Sequence, residues 1–347
     1  MGLPVEAFID FSANINPLGM PVTALAALQE GIRHLQHYPE SYAESLVEEI
    51  AATIGLPSAA VLAGNGSTEL IYLLVRVLQP ARTLIVAPAF TEYQRSVAVH
   101  GGTVKFFYTD SRDDFALQPE RLREALLSSP DLLFIGNPNN PTGAYLPVAD
   151  MRPIVETARD QGVVCVIDEA FVDFVDNSVS ADQLVQEFDN LIILRSLTKI
   201  FSLAGLRCGY LLACPDLVTR LRCHQEPWNV NSLAVAAAKA ALADEPFRQR
   251  TRRLIDKERS YLTRQLATLA FFHPFPSTTN YLLIRVDPHI KTQALADFLL
   301  HNHHLLVRTC NDFAGLDDTF IRVAVKNRAD NEVLVQGCEE FAARQKT

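Results

Sequence analysis

The stretch RSLTKIFSLAGLRCGYL, residues 195–211, decides how the rest of the chain is read. It follows the apolar run LIIL at 191–194. Four such residues form a short buried strand, and the Ser, Thr, Gly and aromatic residues after them cannot continue it, so Lys199 falls just past a strand's C-terminal end. Open α/β sheets bind their ligands there. A lysine shielded from water and close to other cations loses its proton nearer neutral pH and can attack a carbonyl. Arg207 is the neighbouring cation. A lone lysine is ordinarily a solvated loop residue, so the assignment depends on what else reaches the same sheet edge.

Outward from this stretch the chain alternates apolar runs with helical segments. TLIVA (83–87), VKFFY (104–108), DLLFIG (131–136), VVCVI (163–167), LIIL and YLLA (210–213) read as strands, with helices at 119–127 and 147–161 between them. Continuous apolar strands separated by helices give an α/β fold with a mostly parallel central sheet covered on both faces. At 347 residues, 48% hydrophobic, the chain exceeds the usual single-domain size. The expected division is an N-terminal arm at 1–35, a large domain at 36–235 and a smaller α/β domain at 236–347 that the arm joins. In the arm, IDFSANINPLGMP (9–21) is too rich in Asn, Pro and Gly for a regular element. Helices are expected at 23–35 and from about residue 42 to Gly55. SLAVAAAKAALA (232–243) reads as the start of a long helix into the small domain, whose strands come from FHPFPSTTNYLLIRV (272–286) and FIRVAV (320–325).

A formal charge of −9 leaves no basic face for nucleic acid, so an anionic ligand must be held by local donors. No apolar run approaches a membrane span and the N-terminus lacks a signal-peptide pattern, which points to a cytoplasmic protein. The six cysteines show no CxxC spacing and read as reduced structural thiols. His301, His303 and His304 lack an acidic or cysteine ligand at a set spacing, so no metal site is expected.

Three strands end in unusual polar sets. VLAGNGSTELIYLLVRVL (61–78) is a short apolar lead, a turn with Gly64 and Gly66, and a helix whose first amides, at Gly66, Ser67 and Thr68, suit a phosphate. It is no dinucleotide fingerprint, since Glu69 occupies the third glycine position. NPNNPTG (137–143) follows one strand, Asp168-Glu169 another, and Ser196 with Lys199 a third. An amine, a buried carboxylate and a phosphate site at one edge are what pyridoxal phosphate needs for its aldehyde, its protonated ring nitrogen and its phosphate. Lys199 would meet the aldehyde and Asp168 the ring nitrogen. Gly66, Ser67, Thr68, Ser196 and Arg207 would hold the phosphate.

Together NPNNPTG, DEAF (168–171) and SLTKIFSLAGLRCGY (196–210) resemble the fold type I aminotransferase-like enzymes, over nearly the whole chain. The resemblance implies that Asn140 hydrogen-bonds the cofactor's ring oxygen and that Phe90, in APAFTEY (87–93), stacks on its ring. It further implies that Tyr38 reaches the phosphate of the neighbouring subunit in a homodimer. Phe171 stands where many relatives carry a tyrosine, which argues against simple aspartate-aminotransferase chemistry.

Two branches are similar: the histidinol-phosphate aminotransferases and, more closely, the threonine-phosphate decarboxylases of cobalamin biosynthesis. The second branch's hallmarks are here as DFSANINPLG (10–19), DEAF, RSLTK (195–199), PWNVN (227–231), Arg308 and Arg322. By that resemblance Asn14, Asn140, Arg308 and Arg322 contact the substrate, and guanidinium groups suit its two anions. On spacing alone, Arg322 in TFIRVAV reads equally as an edge-strand surface charge. The implied reaction is decarboxylation of L-threonine O-3-phosphate to aminopropanol phosphate for cobamide assembly, with histidinol-phosphate-type transamination as the alternative. That branch usually carries a His-Gly-Gly segment before the DFSAN arm. The nine residues ahead of Asp10 lack it, leaving room for serine phosphate as a substrate. Trp228, in EPWNVNSLA, is read evenly as a pocket residue or as packing at the domain junction.

Overall fold

The computed structural model describes residue 4 and residues 7–175 and 180–345. The first half runs β1 (Ile9–Asp10), α1 (Val22–Gly31), α2 (Glu44–Ile54), β2 (Val61–Gly64), α3 (Gly66–Leu78), β3 (Arg82–Ala87), α4 (Thr91–Val99), β4 (Thr103–Tyr108), α5 (Pro119–Leu126), β5 (Leu132–Gly136) and α6 (Val148–Asp160). There follow β6 (Val164–Asp168), β7 (Leu191–Ser196), β8 (Gly209–Ala213), α7 (Pro215–Arg222), α8 (Ser232–Leu242) and α9 (Glu245–Ala267). The chain closes with β9 (Phe272–Pro274), β10 (Tyr281–Val286), α10 (Thr292–His303), β11 (Leu305–Leu306), β12 (Arg308–Thr309), β13 (Phe320–Ala324) and α11 (Arg328–Arg344).

Seven strands form one sheet in the order β2-β8-β7-β6-β5-β3-β4. From β7 to β4 all pairings are parallel, whereas β8 runs antiparallel to both β7 and β2. The sheet is therefore mostly parallel with one reversed strand. No crossover helix lies between β7 and β8; the chain turns back through the loop that carries Lys199, and a loop return makes neighbours antiparallel. The sheet separates two apolar cores. Along β7, Leu191 and Ile193 face one core and Ile192 and Leu194 the other, all four fully buried. Burial on both faces, at about 1.5–3 kcal/mol per side chain, explains why these strands are continuous apolar runs without alternation.

A second sheet, β12-β13-β10-β9, is antiparallel throughout. Leu283 and Phe320 face a small cluster with Phe115, Phe275 and Phe313, while Leu282, Ile284, Ile321 and Val323 face the main core. The seven strands of the first sheet lie within the proposed 36–235 domain and these four within the proposed 236–347 domain. The N-terminal arm lies against the second unit. Phe11 N–H donates to Leu306 O and Ala324 N–H donates to Phe11 O, each at 2.8 Å.

Four expectations are corrected. The arm does contain a regular element, since β1 pairs in parallel with β11. The residues at 232–243 do not begin one long helix. Asp244 accepts from Phe247 N–H at 3.0 Å and Pro246 sits in the next first turn, so a capped second helix begins there. Residues 23–35 likewise split, with α1 ending at Gly31 before a single 3-10 turn at Ile32–His34. Arg322 is not on an edge: β13 is an interior strand and Arg322 is only 8% exposed. Among the described residues no helix is long and apolar enough to cross a membrane.

Candidate active site

The C-terminal ends of β5, β6 and β7 open onto a cavity of about 260 Å³ that both Lys199 and Asp168 line. Asp168 is the last residue of β6, in register with Leu194 of β7. It is 6% exposed and is held by two neutral donors, the Tyr93 hydroxyl on Oδ2 at 2.7 Å and the Ala170 N–H on Oδ1 at 3.0 Å. Burial pushes its pKa up, against the pull of Tyr93, Ala170 and the more distant Lys199. A deeply buried carboxylate held only by neutral donors is suited to a cationic N–H brought by a ligand. Lys199 follows β7 by three residues. Burial pulls its pKa down, and Arg322 and Arg207 add to the effect. Its Nζ lies 5.8 Å from the centre of the Phe171 ring, which offers no hydroxyl.

Just ahead of the lining residues Ser67 and Thr68, α3 begins at Gly66, whose φ of +80° suits glycine. The Arg207 guanidinium packs onto it: a Cβ at Gly66 would lie 2.6 Å from Arg207 Nη2. A Cβ at Gly209 would lie 2.7 Å from Ser67 N. Ser67, Thr68, Ser196 and Arg207 all line the cavity, and the Ser196 and Thr198 hydroxyls share a hydrogen bond of 2.7 Å. Glu69 is turned to its own helix start, accepting from Asn65 N–H at 2.6 Å and from Asn229 Nδ2 at 2.9 Å. A cation and the first amides of a helix, with no room for a further carbon, form a cradle for an anion. The donor set thus fits pyridoxal phosphate, with a cationic cradle, a carboxylate held only by neutral donors and a lysine with a lowered pKa in one cavity lining.

The NPNNPTG loop is held by its own amides. Asn137 donates to Leu146 O at 2.9 Å and accepts from Leu146 N–H at 2.8 Å, and Asn139 Nδ2 donates to Pro88 O at 3.0 Å. These bonds tie the loop carrying Asn140 to the segment carrying Phe90, and both residues line the cavity. Facing them, Arg322 donates from Nη1 to Asn140 Oδ1 at 2.5 Å and from Nη2 to Ser12 O at 2.9 Å. Its Nε has no hydrogen-bond partner among the described residues, nor has the buried Asn14 Oδ1. Arg308 lies directly across the strand pair from Arg322. Asn14, Arg308 and Arg322 all line the cavity, so the arm and the second sheet form its remaining wall.

Every candidate read from the sequence therefore lies on or against this cavity except Tyr38 and Trp228. The Tyr38 ring is 83% exposed and stands 5.1 Å from the Trp228 ring, and neither lines the cavity. Among the described residues no His, Cys, Asp and Glu cluster could hold a metal. The buried Cys165, Cys208, Cys310 and Cys338 are free thiols pushed up to about 12 by burial.

Several residues went unread. Tyr93 reaches Asp168 from α4, and the Tyr281 hydroxyl donates to Asn139 O at 2.7 Å. Arg195, buried, contacts Glu169 at 3.4 Å and Asp173 at 3.3 Å. Glu169 follows Asp168 and Arg195 precedes Ser196 in the chain, so this ion cluster ties together the ends of β6 and β7. The APAFTEY motif contained Tyr93, but no spacing relates it to Asp168.

The family model for aminotransferase class I and II matches residues 6–337. The chain is 34% identical over 336 residues to the threonine-phosphate decarboxylase of Salmonella typhimurium, covering 96% of this chain and 91% of that protein. It is similar to the crystal structure of the histidinol-phosphate aminotransferase from Clostridium acetobutylicum, with a TM-score of 0.90, 30% identity, and 97% and 99% of the two chains covered. It is also similar to that of the L-threonine-O-3-phosphate decarboxylase from Porphyromonas gingivalis, with a TM-score of 0.88, 26% identity, and 96% and 99% covered. With the family model spanning nearly its whole length and a donor set that fits the cofactor, the chain belongs to the aminotransferase class I and II family, pyridoxal-phosphate-dependent enzymes of fold type I.

Proposed function

We propose that the protein is a decarboxylase of L-threonine O-3-phosphate, acting with pyridoxal phosphate. The observation that carries the reading is the pair of guanidinium groups that line one cavity with Lys199 and Asn14, Arg322 buried and Arg308 half-buried. Two cationic receptors answer a substrate with two anions, a carboxylate and a phosphate. Histidinol phosphate carries only one, and of the substrates of the alternative reaction only 2-oxoglutarate, with two carboxylates, would engage both. The likeness to decarboxylases supports the same choice.

In this reading Asp168 would hold the protonated ring nitrogen, Phe90 and Asn140 would hold the ring, and Gly66, Ser67, Thr68, Ser196 and Arg207 would hold the cofactor phosphate. When bound, the cofactor supplies an electron-withdrawing ring that accepts the electron pair of the bond broken at Cα. The chain's own residues select that bond. Arg322 and Asn14 orient the carboxylate and Arg308 receives the phosphate, carbon dioxide leaves, and Lys199, whose pKa burial lowers, places the proton on Cα. No co-substrate is consumed.

We also propose a homodimer in which Tyr38 serves the partner's cofactor phosphate. Its exposure beside Leu35, at 53%, and Ile32, at 57%, supports this. The test of function is product analysis. Protein supplied with pyridoxal phosphate should release carbon dioxide from threonine phosphate without a keto acid. Glutamate from histidinol phosphate and 2-oxoglutarate, with no carbon dioxide from threonine phosphate, overturns the proposal in favour of transamination.

A further inference from the structure

Arg308 does not stand free in the cavity wall. Its Nη2 is ion-paired with Asp312 Oδ2, four residues on, in the turn between β12 and β13. The turn itself is fixed without that pair. Cys310 N–H donates to Phe320 O at 3.0 Å, Phe313 N–H donates to Cys310 O at 3.1 Å, and the Phe313 ring is anchored in the apolar cluster of Phe115, Phe275 and Phe320. The Arg308 guanidinium carbon lies 5.4 Å from the centre of the Phe313 ring, and Phe313 lines the cavity. The arginine is therefore aimed by β12 and by an aromatic underside. Asp312 stands outside the cavity lining and contributes a charge that positioning does not require.

That charge has an electrostatic role in the ligand-free protein. Arg308 and Arg322 are direct cross-strand partners, an arrangement that is unfavourable between like charges. Asp312 opposes the influence of Arg308 on Arg322. It is a single negative charge held on a site that has to receive another.

We propose that Asp312 is a resident counter-anion for Arg308, which the anionic group of the substrate displaces on binding and which takes the arginine back when the product leaves. The inference rests on the reading above in which Arg308 receives a substrate anion, and adds a specificity-determining residue to it. Arg308 remains paired in both states, and the affinity gained is the difference between the two partners. A phosphate, carrying about −1.5 to −2 charges, outcompetes one carboxylate, whereas a ligand without such a group leaves Asp312 in place. The resident pair is weak, with side chains 35% and 48% exposed, so exchange is not blocked.

The test uses the holoenzyme of wild type, Asp312→Asn, Asp312→Ala and Asp312→Glu, each also in an Arg308→Gln background. Binding of inorganic phosphate is measured by calorimetry, and KM and kcat with threonine phosphate. Asn and Ala should tighten phosphate and lower KM by about two- to five-fold, the range an exposed ion pair can supply, with kcat little changed. Glu should behave as wild type, and the gain should vanish in the Arg308→Gln background. Phosphate affinity that is unchanged, weakened or absent in the Asn and Ala variants, or a gain that survives without Arg308, overturns the proposal. Phosphate binding does not depend on turnover. A protein that shows the expected phosphate response but releases no carbon dioxide therefore refutes the decarboxylase reading alone.

Discussion

Tyr93→Phe removes one oxygen from the wall of the cavity and leaves the packing in place. The ring keeps its stack on Phe134, with centroids 4.8 Å apart and planes 2° apart. In the wild type the hydroxyl stays protonated, because burial and Asp168 push its pKa well above the ordinary value. Deleting it strips Asp168 Oδ2 of its donor and leaves the carboxylate with the Ala170 N–H alone. A hydrogen bond to a charged acceptor contributes about 1.5–3 kcal/mol, and an acceptor left buried and unsatisfied takes the loss to the upper part of that range. The cofactor-free protein should therefore lose about 2–3 kcal/mol where Asp168 is ionised. The pH dependence has a definite sign. Burial has already raised the pKa of Asp168 and Tyr93 holds it back, so the substitution raises it further. A carboxyl with a raised pKa favours the folded state on the acid side, and that contribution is lost as pH rises through its folded pKa. The deficit of the variant should shrink to about 1 kcal/mol, the worth of a neutral hydrogen bond, as pH falls through the raised pKa. Urea unfolding of the cofactor-free wild type and variant over a series of pH values follows the deficit through that transition. A deficit that stays constant over the whole series, or grows toward acid, would show that Tyr93 does not stabilise an ionised Asp168.

Three further outcomes follow from the same geometry. Arg322→Lys gives up the planar fork that reaches both Asn140 and Ser12, and should lower kcat/KM by about 10- to 100-fold, measured with threonine phosphate. Gly66→Ala places a carbon 2.6 Å from Arg207 Nη2 on a backbone of positive φ; cofactor affinity, followed by absorbance titration, should fall about ten-fold. Glu169→Gln removes a carboxylate that accepts from Ser180 at 2.7 Å and Ala181 at 2.8 Å and faces Arg195; it should cost about 3 kcal/mol in urea unfolding.

The parallel core was legible because strands buried on both faces are written as unbroken apolar runs. β3, β5, β6 and β7 accordingly lie within one or two residues of TLIVA, DLLFIG, VVCVI and LIIL. The direction of β8 was not legible, since apolar content carries no sign of orientation. Lys199, Asp168 and the α3 turn could be read together because each follows its own strand directly, and a parallel sheet gathers such positions at one edge. Tyr93 could not be read this way. It lies in the helix after β3, two strands away from β6, and only the order β6-β5-β3 carries it to Asp168. The environment of Arg322 was hidden for a related reason. Alternation with apolar neighbours is the same on an edge and an interior strand, and its contact with Ser12 spans 310 residues of chain.

That last contact bears on biosynthesis. The arm that carries Asn14 is translated long before three of its partners, Leu306, Arg322 and Ala324. The first sheet has all its strands by residue 213 and can collapse early, while the cavity wall built from the arm and the second sheet forms only after β13 is made. A chain that has reached only the first sheet thus has Lys199 and the α3 turn without Arg308 and Arg322. The cavity closes only when Ser12 meets Arg322, 310 residues further along the chain.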